Sequence, residues 1–162
     1  MNIIIADTSP LILLSKLALL ELVCKHFPVI TTSIVYHEAT RKKDLPDSKH
    51  IAKLKKDGKI TIHYVDDVLI NKYSDEWGFG QGEASAFALV ENTGGVLLID
   101  DFAAIRSARA LNIKYITTPV LIYTLSDKKI ILQKQAIDKL IVLREYSWIS
   151  QEVIDTVLSW FK

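Results

Sequence analysis

The sequence predicts an α/β protein with a mainly parallel sheet flanked by helices, and three observations lead to this expectation. Short runs of β-branched and aliphatic residues alternate with longer segments of helical periodicity. The runs Ile3–Ala6 and Val96–Ile99 show no polar alternation, which is typical of strands buried on both faces of a parallel sheet. No repeat, low-complexity segment or linker interrupts the chain of 162 residues. We therefore expect a single domain over residues 1–162.

The first strand, residues 3–6, is expected to lead into a long helix over residues 10–25. Ser9 is a suitable cap for that helix, and Pro10 suits its first turn. After a second strand at 27–30, Thr32 or Ser33 is expected to cap the next helix. The further predicted elements are a helix after Pro46, a strand at 60–65, helices at 68–73 and 83–90, a strand at 96–99, a helix at 102–111, a strand at 114–117, a helix from 119, and helices at 133–144 and 150–162.

Composition excludes several classes of protein. Hydrophobic residues make up 49% of the chain and charged residues 24%, which is typical of a folded globular protein. The formal net charge is only +1, so an anionic partner has to be held by a local patch. The single cysteine, Cys24, excludes an internal disulfide and a cysteine-rich zinc site. The N-terminus does not resemble a signal peptide and no run is long enough to span a membrane, so we expect a cytoplasmic protein.

Several carboxylates directly follow predicted strands, and functional groups of parallel sheets usually lie at this carboxyl edge. Asp7 directly follows the first predicted strand, and Asp100 and Asp101 directly follow the fourth. Because parallel strands end at the same edge of a sheet, these side chains are expected to converge. Glu38 lies one or two turns into a helix that follows a strand, and Glu83 lies in the first turn of another helix.

Several carboxylates in one cleft repel one another unless a cation is present. Hard divalent cations such as Mg2+ and Mn2+ take oxygen ligands of this kind. A cation bound there activates water and neutralises charge on a phosphodiester. The pattern therefore indicates metal-assisted phosphodiester hydrolysis.

Each acid also has a purely structural interpretation. Asp7 alone is explained equally well as a helix cap. Asp100 and Asp101 fit a cap followed by a first-turn acid, and Glu83 fits a first-turn acid favoured by the helix dipole. A lone Glu38 is more often a solvated surface residue. Only their joint placement favours a site.

Four segments of the chain follow one another in a recognisable order. They are Asp7-Thr8-Ser9-Pro10-Leu11-Ile12, Val35-x-x-Glu38, Gly80-x-Gly82-Glu83-Ala84-x-Ala86-x-Ala88-Leu89, and Leu98-Ile99-Asp100-Asp101-x-x-x-x-Arg106-x-Ala108. In this order they resemble the motifs of PIN-domain proteins, in a prokaryotic branch related to toxin–antitoxin ribonucleases. The similarity extends from Asp7 to about Leu132.

The resemblance implies an acidic pocket that binds Mg2+ or Mn2+, RNA as substrate, a homodimer and, for a toxin, an antitoxin partner. By motif position, Asp7, Glu38, Glu83 and Asp100 take the catalytic acidic positions. The implied metal ligands are Asp7, Glu83 and Asp100, with Asp101 as a neighbouring or alternate ligand. The third acid is Glu, where many PIN nucleases have Asp, and Glu reaches one methylene farther.

Two further residues and one segment are candidates for contacts with substrate. Ser9 resembles the hydroxyl that stands beside the first acid of the family and binds the metal's water or the phosphate. Arg106 suits either a structural ion pair or a substrate phosphate. The lysine-rich arm, residues 41–59, holds eight basic and three acidic residues. It suits an RNA backbone or a solvated helix face.

The sequence therefore predicts a metal-dependent endoribonuclease that hydrolyses single-stranded RNA, in the toxin class of a toxin–antitoxin pair. The alternative is a non-catalytic PIN-like module that binds protein or RNA. A phosphatase of the haloacid-dehalogenase type fits poorly, because its Asp-x-Asp motif would need an acid at Ser9. A receiver domain fits poorly too, because it expects a lone phospho-acceptor Asp on a central strand and a late Lys.

Overall fold

The computed structural model describes residues 3–146 and 148–161. Its five strands form one parallel sheet in the order β3-β2-β1-β4-β5. This architecture confirms the predicted α/β class. The strands are β1 (Ile4–Ala6), β2 (Val29–Thr32), β3 (Ile60–His63), β4 (Val96–Leu98) and β5 (Tyr115–Ile116).

Helices occupy most of the chain between and after the strands. They are α1 (Thr8–Lys16), α2 (Leu20–His26), α3 (Ser33–Ala39), α4 (Pro46–Lys56), α5 (Asp67–Trp77), α6 (Gln81–Thr93), α7 (Phe102–Ala110), α8 (Thr118–Asp127), α9 (Gln133–Leu143) and α10 (Gln151–Leu158). Within the described residues, none is long and apolar enough to cross a membrane.

The chain forms two compact units, residues 1–115 and 116–162. The first unit contains β1 to β4, helices α1 to α7 and every predicted site residue. In the second unit α8 packs with α9 and α10, and Tyr123 contacts the rings of Trp160 and Phe161 edge-on. The apolar residues near the C-terminus therefore pack in this unit as the helical pattern predicts. A single domain over 1–162 stays a prediction.

The central strand β1 lies where the strand order reverses. It pairs with β2 on one side and with β4 on the other, both in parallel. Ile4 and Ile5 are completely buried, because helices cover both faces of a parallel sheet. In such sheets the crevice beyond the carboxyl ends of the strands, at the point of reversal, is where ligands bind. Asp7 follows β1 at this point.

The predicted long helix at 10–25 is wrong, because the structure has two helices there. The first, α1, ends at Lys16, and Ala18 adopts a left-handed φ of 55° before α2 begins at Leu20. Leu14, Leu17 and Leu20 are buried on either side of the break. Burial of leucines from both segments is a tertiary effect that the helical spacing of the sequence does not reveal.

The helix predicted at 68–73 is also longer in the structure, and it extends to Trp77. Gly78 terminates it in the left-handed conformation, with φ of 68°, as glycine does most easily. Other boundaries agree more closely. The lysine-rich arm contains a helix that begins at Pro46, and α7 begins at Phe102 as predicted.

Candidate active site

Asp7 is the residue before α1, but it does not serve as the cap that the structural interpretation requires. Its side chain accepts no capping hydrogen bond from α1. Ser9, predicted to cap the helix, lies instead inside its first turn, so that prediction is wrong. Burial raises the pKa of Asp7 to about 6, with the nearby charges of Glu38 and Asp101 adding to the shift and the Thr8 backbone N–H opposing it. The fold thus holds this carboxylate where its charge is unfavourable.

Glu38 is fixed by contacts from two other elements. The Thr8 hydroxyl, next to Asp7, donates to Glu38 Oε2 at 2.8 Å. On the other side the carboxylate lies against the backbone of Gly82, at the start of α6. A Cβ at position 82 would stand 2.7 Å from Glu38 Cδ and 2.8 Å from its Oε1. Glycine at position 82 therefore makes the room that Glu38 occupies.

A buried chain of hydrogen bonds joins the helices that carry Glu38 and Glu83. The Val35 N–H donates to the Thr32 hydroxyl at 3.1 Å, which caps α3 as predicted. The Ser85 hydroxyl donates to the Gly82 carbonyl at 2.7 Å. Since each hydroxyl has one proton, Thr32 must donate the 2.6 Å bond that joins it to Ser85. This series of hydrogen bonds holds the start of α6 against the end of β2.

Glu83 occupies the first turn of α6, where the helix dipole favours a negative charge. Nevertheless its pKa is raised to about 7, chiefly by burial and further by the charges of Asp7 and Asp101. A carboxylate retained only for helix stability has no reason to be placed among other acids. The raised pKa favours a functional role for Glu83 over a role in helix stability alone.

Asp101 has a structural role and also contributes to the charge of the site. It caps α7, with Oδ2 accepting the Ala104 N–H at 2.9 Å, as the cap interpretation expects. Its charge also raises the pKa of both Asp7 and Glu83. Asp100 is half-buried between β4 and α7, and its predicted place among the ligands stays a prediction.

Asp7, Glu38, Glu83 and Asp101 form what we call the acidic cluster. They come from the end of β1, from α3, from the start of α6 and from the start of α7. Their electrostatic coupling shows that the fold brings these four residues together. As the side chains stand, no group of three His, Cys, Asp or Glu residues among 3–146 and 148–161 is arranged to hold a metal ion.

The two residues predicted to contact substrate differ in position. Ser9 is half-buried in α1, two residues after Asp7. Arg106 lies exposed on α7, and it forms no ion pair or hydrogen bond with any residue that the structure describes. The alternative of a structural ion pair for Arg106 therefore receives no support.

Lysines of the lysine-rich arm are engaged in contacts within the protein. Lys53 pairs with Asp57 at 3.1 Å, and Lys59 pairs with Glu21. The Lys55 ammonium lies 5.8 Å from the centre of the Tyr36 ring. Ion pairs thus engage two of the basic side chains of the arm, and exposed pairs of this kind contribute little to stability. Both the solvated helix face and the RNA contact stay predictions.

Sequence reasoning missed the residues that position the carboxylates. Thr8 and Gly82 contact Glu38, and Ser85 donates to the carbonyl of Gly82, beside Glu83. Thr32, expected only as a helix cap, also binds Ser85. Thr8 adjoins Asp7, and Gly82 adjoins Glu83, so adjacency to an acid was the available signal. Ser85 had no such signal, because its partner Thr32 is distant in sequence.

Comparison with known proteins supports the fold. A sequence model of the PIN-domain family matches residues 3–162. The fold is similar to the crystal structure of PAE2754 from Pyrobaculum aerophilum, with a TM-score of 0.61 and 19% sequence identity. That match covers 78% of this chain and 96% of the other, and at this identity it shows the fold alone. No curated protein is significantly similar in sequence.

Proposed function

The chain belongs to the PIN-domain family, and from this premise we propose that it is a metal-dependent endoribonuclease that hydrolyses phosphodiester bonds of single-stranded RNA. The observation that carries the proposal is the acidic cluster. Burial and mutual repulsion raise the pKa of Asp7 to about 6 and that of Glu83 to about 7. Such shifts in a cluster at the carboxyl edge of a parallel sheet are typical of a functional site.

The donor chemistry of the cluster fits Mg2+ or Mn2+. The candidate ligands, Asp7, Glu83, Asp100 and Asp101, offer only oxygen atoms, which hard divalent cations prefer. Repulsion among the carboxylates is relieved when a cation neutralises them. Among the described residues, no three acids, histidines or cysteines are arranged to hold a metal ion. Metal binding therefore requires the side chains of the candidate ligands to move closer together.

When bound, a divalent cation would supply activation of water and neutralisation of charge on the phosphodiester. The chain itself contributes orientation and proton exchange. Glu38, held by Thr8 and by contact with Gly82, presents a fixed carboxylate beside Asp7. Glu83, with its pKa of about 7, is able to take up or release a proton near neutral pH. The Ser9 hydroxyl, two residues after Asp7 in the sequence, contacts the phosphate in this proposal.

The first experiment measures cleavage of a labelled single-stranded RNA with Mn2+ or Mg2+ present and with the metal chelated. We expect Asp7→Asn and Glu83→Gln each to lower the rate at least about a hundredfold, because each removes a charge from the cluster. Exposed Asp75 provides the matched control Asp75→Asn, which is expected to cleave normally. Cleavage by both cluster variants at the wild-type rate would show the assignment to be wrong.

The family resemblance extends the proposal to a toxin that pairs with an antitoxin protein and forms a homodimer. Expression of the chain alone is then expected to arrest growth, and Glu83→Gln is expected to abolish that arrest. Normal growth with active, soluble enzyme would contradict the toxin role while leaving the nuclease activity intact.

A further inference from the structure

A groove of about 500 Å3 opens on the surface of the first unit, beside α7. Trp77, at the end of α5, forms one wall. The lining residues, which define what we call the Trp77 groove, are Trp77, Ala103, Arg106, Ser107, Arg109 and Ala110. An aromatic ring, two guanidinium groups and small residues thus meet in one open depression.

The groove lies along the helix that begins at the acidic cluster. Helix α7 begins directly after Asp101, and Arg106 and Arg109 follow along the same helix. With a rise of about 1.5 Å per residue, Arg109 lies roughly 12 Å along α7 from Asp101. Phe102, at the first turn, is 70% exposed. An extended chain that followed α7 from Asp101 would pass the exposed ring of Phe102 and then the groove.

The two arginines are available to an anion in different ways. Arg106 forms no ion pair or hydrogen bond with the described part of the chain. Arg109 is oriented by Tyr115, because its Nε donates to the Tyr115 hydroxyl at 2.7 Å and its guanidinium lies 5.8 Å from the ring centre. An oriented guanidinium loses less entropy when it binds a phosphate. Because the net charge of the whole chain is only +1, the two arginines attract an anion to this groove through a local concentration of positive charge.

The aromatic wall favours unpaired bases over a duplex or a peptide. Trp77 is 36% exposed and stacks on Phe79, with ring centres 6.3 Å apart, so its indole is supported from within the protein. A nucleic-acid base stacks on the exposed face of such an indole only when the base is unpaired and turned out of its own helix. The small side chains of Ala103 and Ala110 leave space for it.

We infer that the Trp77 groove binds the segment of single-stranded RNA that flanks the bond held at the acidic cluster. Arg106 and Arg109 contact its phosphates, and Trp77 stacks on a base. The inference rests on the proposed nuclease function for its substrate, but it concerns affinity and not catalysis. The groove thus supplies RNA contacts on the helix that begins at the acidic cluster.

The test is the binding of a fluorescent oligouridine, measured by anisotropy over a range of salt concentrations with divalent metal chelated, so that nothing is cleaved. Arg106→Ala and Arg109→Ala are each expected to weaken binding about tenfold, and to lower the slope of log affinity against log salt by about 0.7. Trp77→Ala is expected to weaken binding about tenfold at an unchanged slope, because stacking releases no counterion. Trp77→Phe, which preserves a ring, is expected to lose less than about threefold.

The matched control is Lys25→Ala. Lys25 is exposed near the end of α2, which connects β1 with β2, whereas α7 connects β4 with β5 on the other side of β1. Right-handed crossovers place these two helices on opposite faces of the sheet. We expect it to bind as the wild type does. Equal weakening by Lys25→Ala and Arg106→Ala, or wild-type affinity for Trp77→Ala, would overturn the inference. So would competition by polyglutamate as effective as that of the RNA, because the groove would then accept an acidic protein segment.

The two proposals fail separately in these experiments. Cleavage by the wild type with no effect of the groove variants on binding would refute the groove and leave the nuclease standing. Binding that depends on Trp77 and Arg106, without any metal-dependent cleavage, would refute the nuclease and support the groove.

Discussion

At the scale of single residues, the ionised carboxylates of the acidic cluster lower the free energy of unfolding. Asp7 and Glu83 are ionised only at a higher pH than ordinary carboxylates, because burial and neighbouring charges oppose ionisation. Their pKa values in the unfolded chain lie near 4. At pH values between the unfolded and the folded pKa, these carboxyl groups bind more protons in the folded protein than in the unfolded chain. These two groups therefore make the free energy of unfolding fall as pH rises from about 4 to about 7.

We predict that Asp7→Asn stabilises the protein at neutral pH while removing its activity. Removing one buried charge relieves the repulsion with Glu38 and Asp101, for a gain on the order of 1 kcal/mol. Urea denaturation over a pH series measures the effect, which should be largest above pH 7 and should vanish toward pH 4 as the wild-type carboxyl becomes protonated. Asp75→Asn, at an exposed position, should show no comparable gain. An increase in stability that became larger toward acid pH would contradict a raised pKa for Asp7.

At the scale of elements, the position of each acid is determined by contacts between neighbouring elements. The hydrogen-bond chain through Thr32 and Ser85 holds the first turn of α6 at the end of β2. Gly82 then brings the backbone of α6 against the Glu38 carboxylate on α3. The two helices thereby position Glu38 and Glu83 as a unit.

We predict that Gly82→Ala uncouples stability from activity. A methyl group at this position has to displace the Glu38 carboxylate, which is the end of a flexible side chain. Helix propensity favours alanine by up to about 1 kcal/mol, so the melting temperature should change little, whereas RNA cleavage should fall at least about tenfold.

Gly80→Ala is the matched control for that variant. A Cβ at position 80 meets nothing within 4 Å, and the backbone there has a φ of −64° that alanine adopts freely. Cleavage should stay close to the wild-type rate. If the two alanine variants were equally active, the contact with Gly82 would have no part in positioning Glu38.

At the scale of the whole molecule, the sheet order brings residues distant in sequence to one place. Because β1 lies between β2 and β4, Asp7, after β1, stands next to the carboxyl end of β4 and hence to Asp101, at the start of α7. A metal ion bound there would stabilise the entire fold, since a ligand that binds only the folded chain shifts the unfolding equilibrium.

We predict that Mn2+ raises the melting temperature of the wild-type protein at pH 8 and that the increase disappears as pH falls below about 6. Protons compete with the cation at Glu83, with its pKa of about 7, and at Asp7, with its pKa of about 6. Thermal unfolding with and without Mn2+ measures the shift. Asp75→Asn should retain it and Glu83→Gln should lose most of it; a shift independent of both pH and Glu83 would place the cation elsewhere.

The sequence by itself determined the fold class and proposed the candidate acids, with Asp100 ahead of Asp101, whereas in the structure the charge of Asp101 acts on Asp7 and Glu83. Buried β-branched runs that alternate with helical segments are local patterns, and they predicted the parallel sheet and most helices. The placement of Asp7 and Asp101 after strands follows from the same rule. The break at Ala18 escaped this reasoning, because a continuous apolar period does not show how leucines from two helices are buried in one core.

Only the tertiary structure decided which neighbours give these acids their chemistry. The contacts of Thr8 with Glu38, of Glu38 with Gly82 and of Thr32 with Ser85 join residues far apart in the chain. The raised pKa values depend on burial and on charges from other elements. The physical reason is that periodicity and propensity are local, whereas desolvation, repulsion and close approach arise only when distant segments pack together.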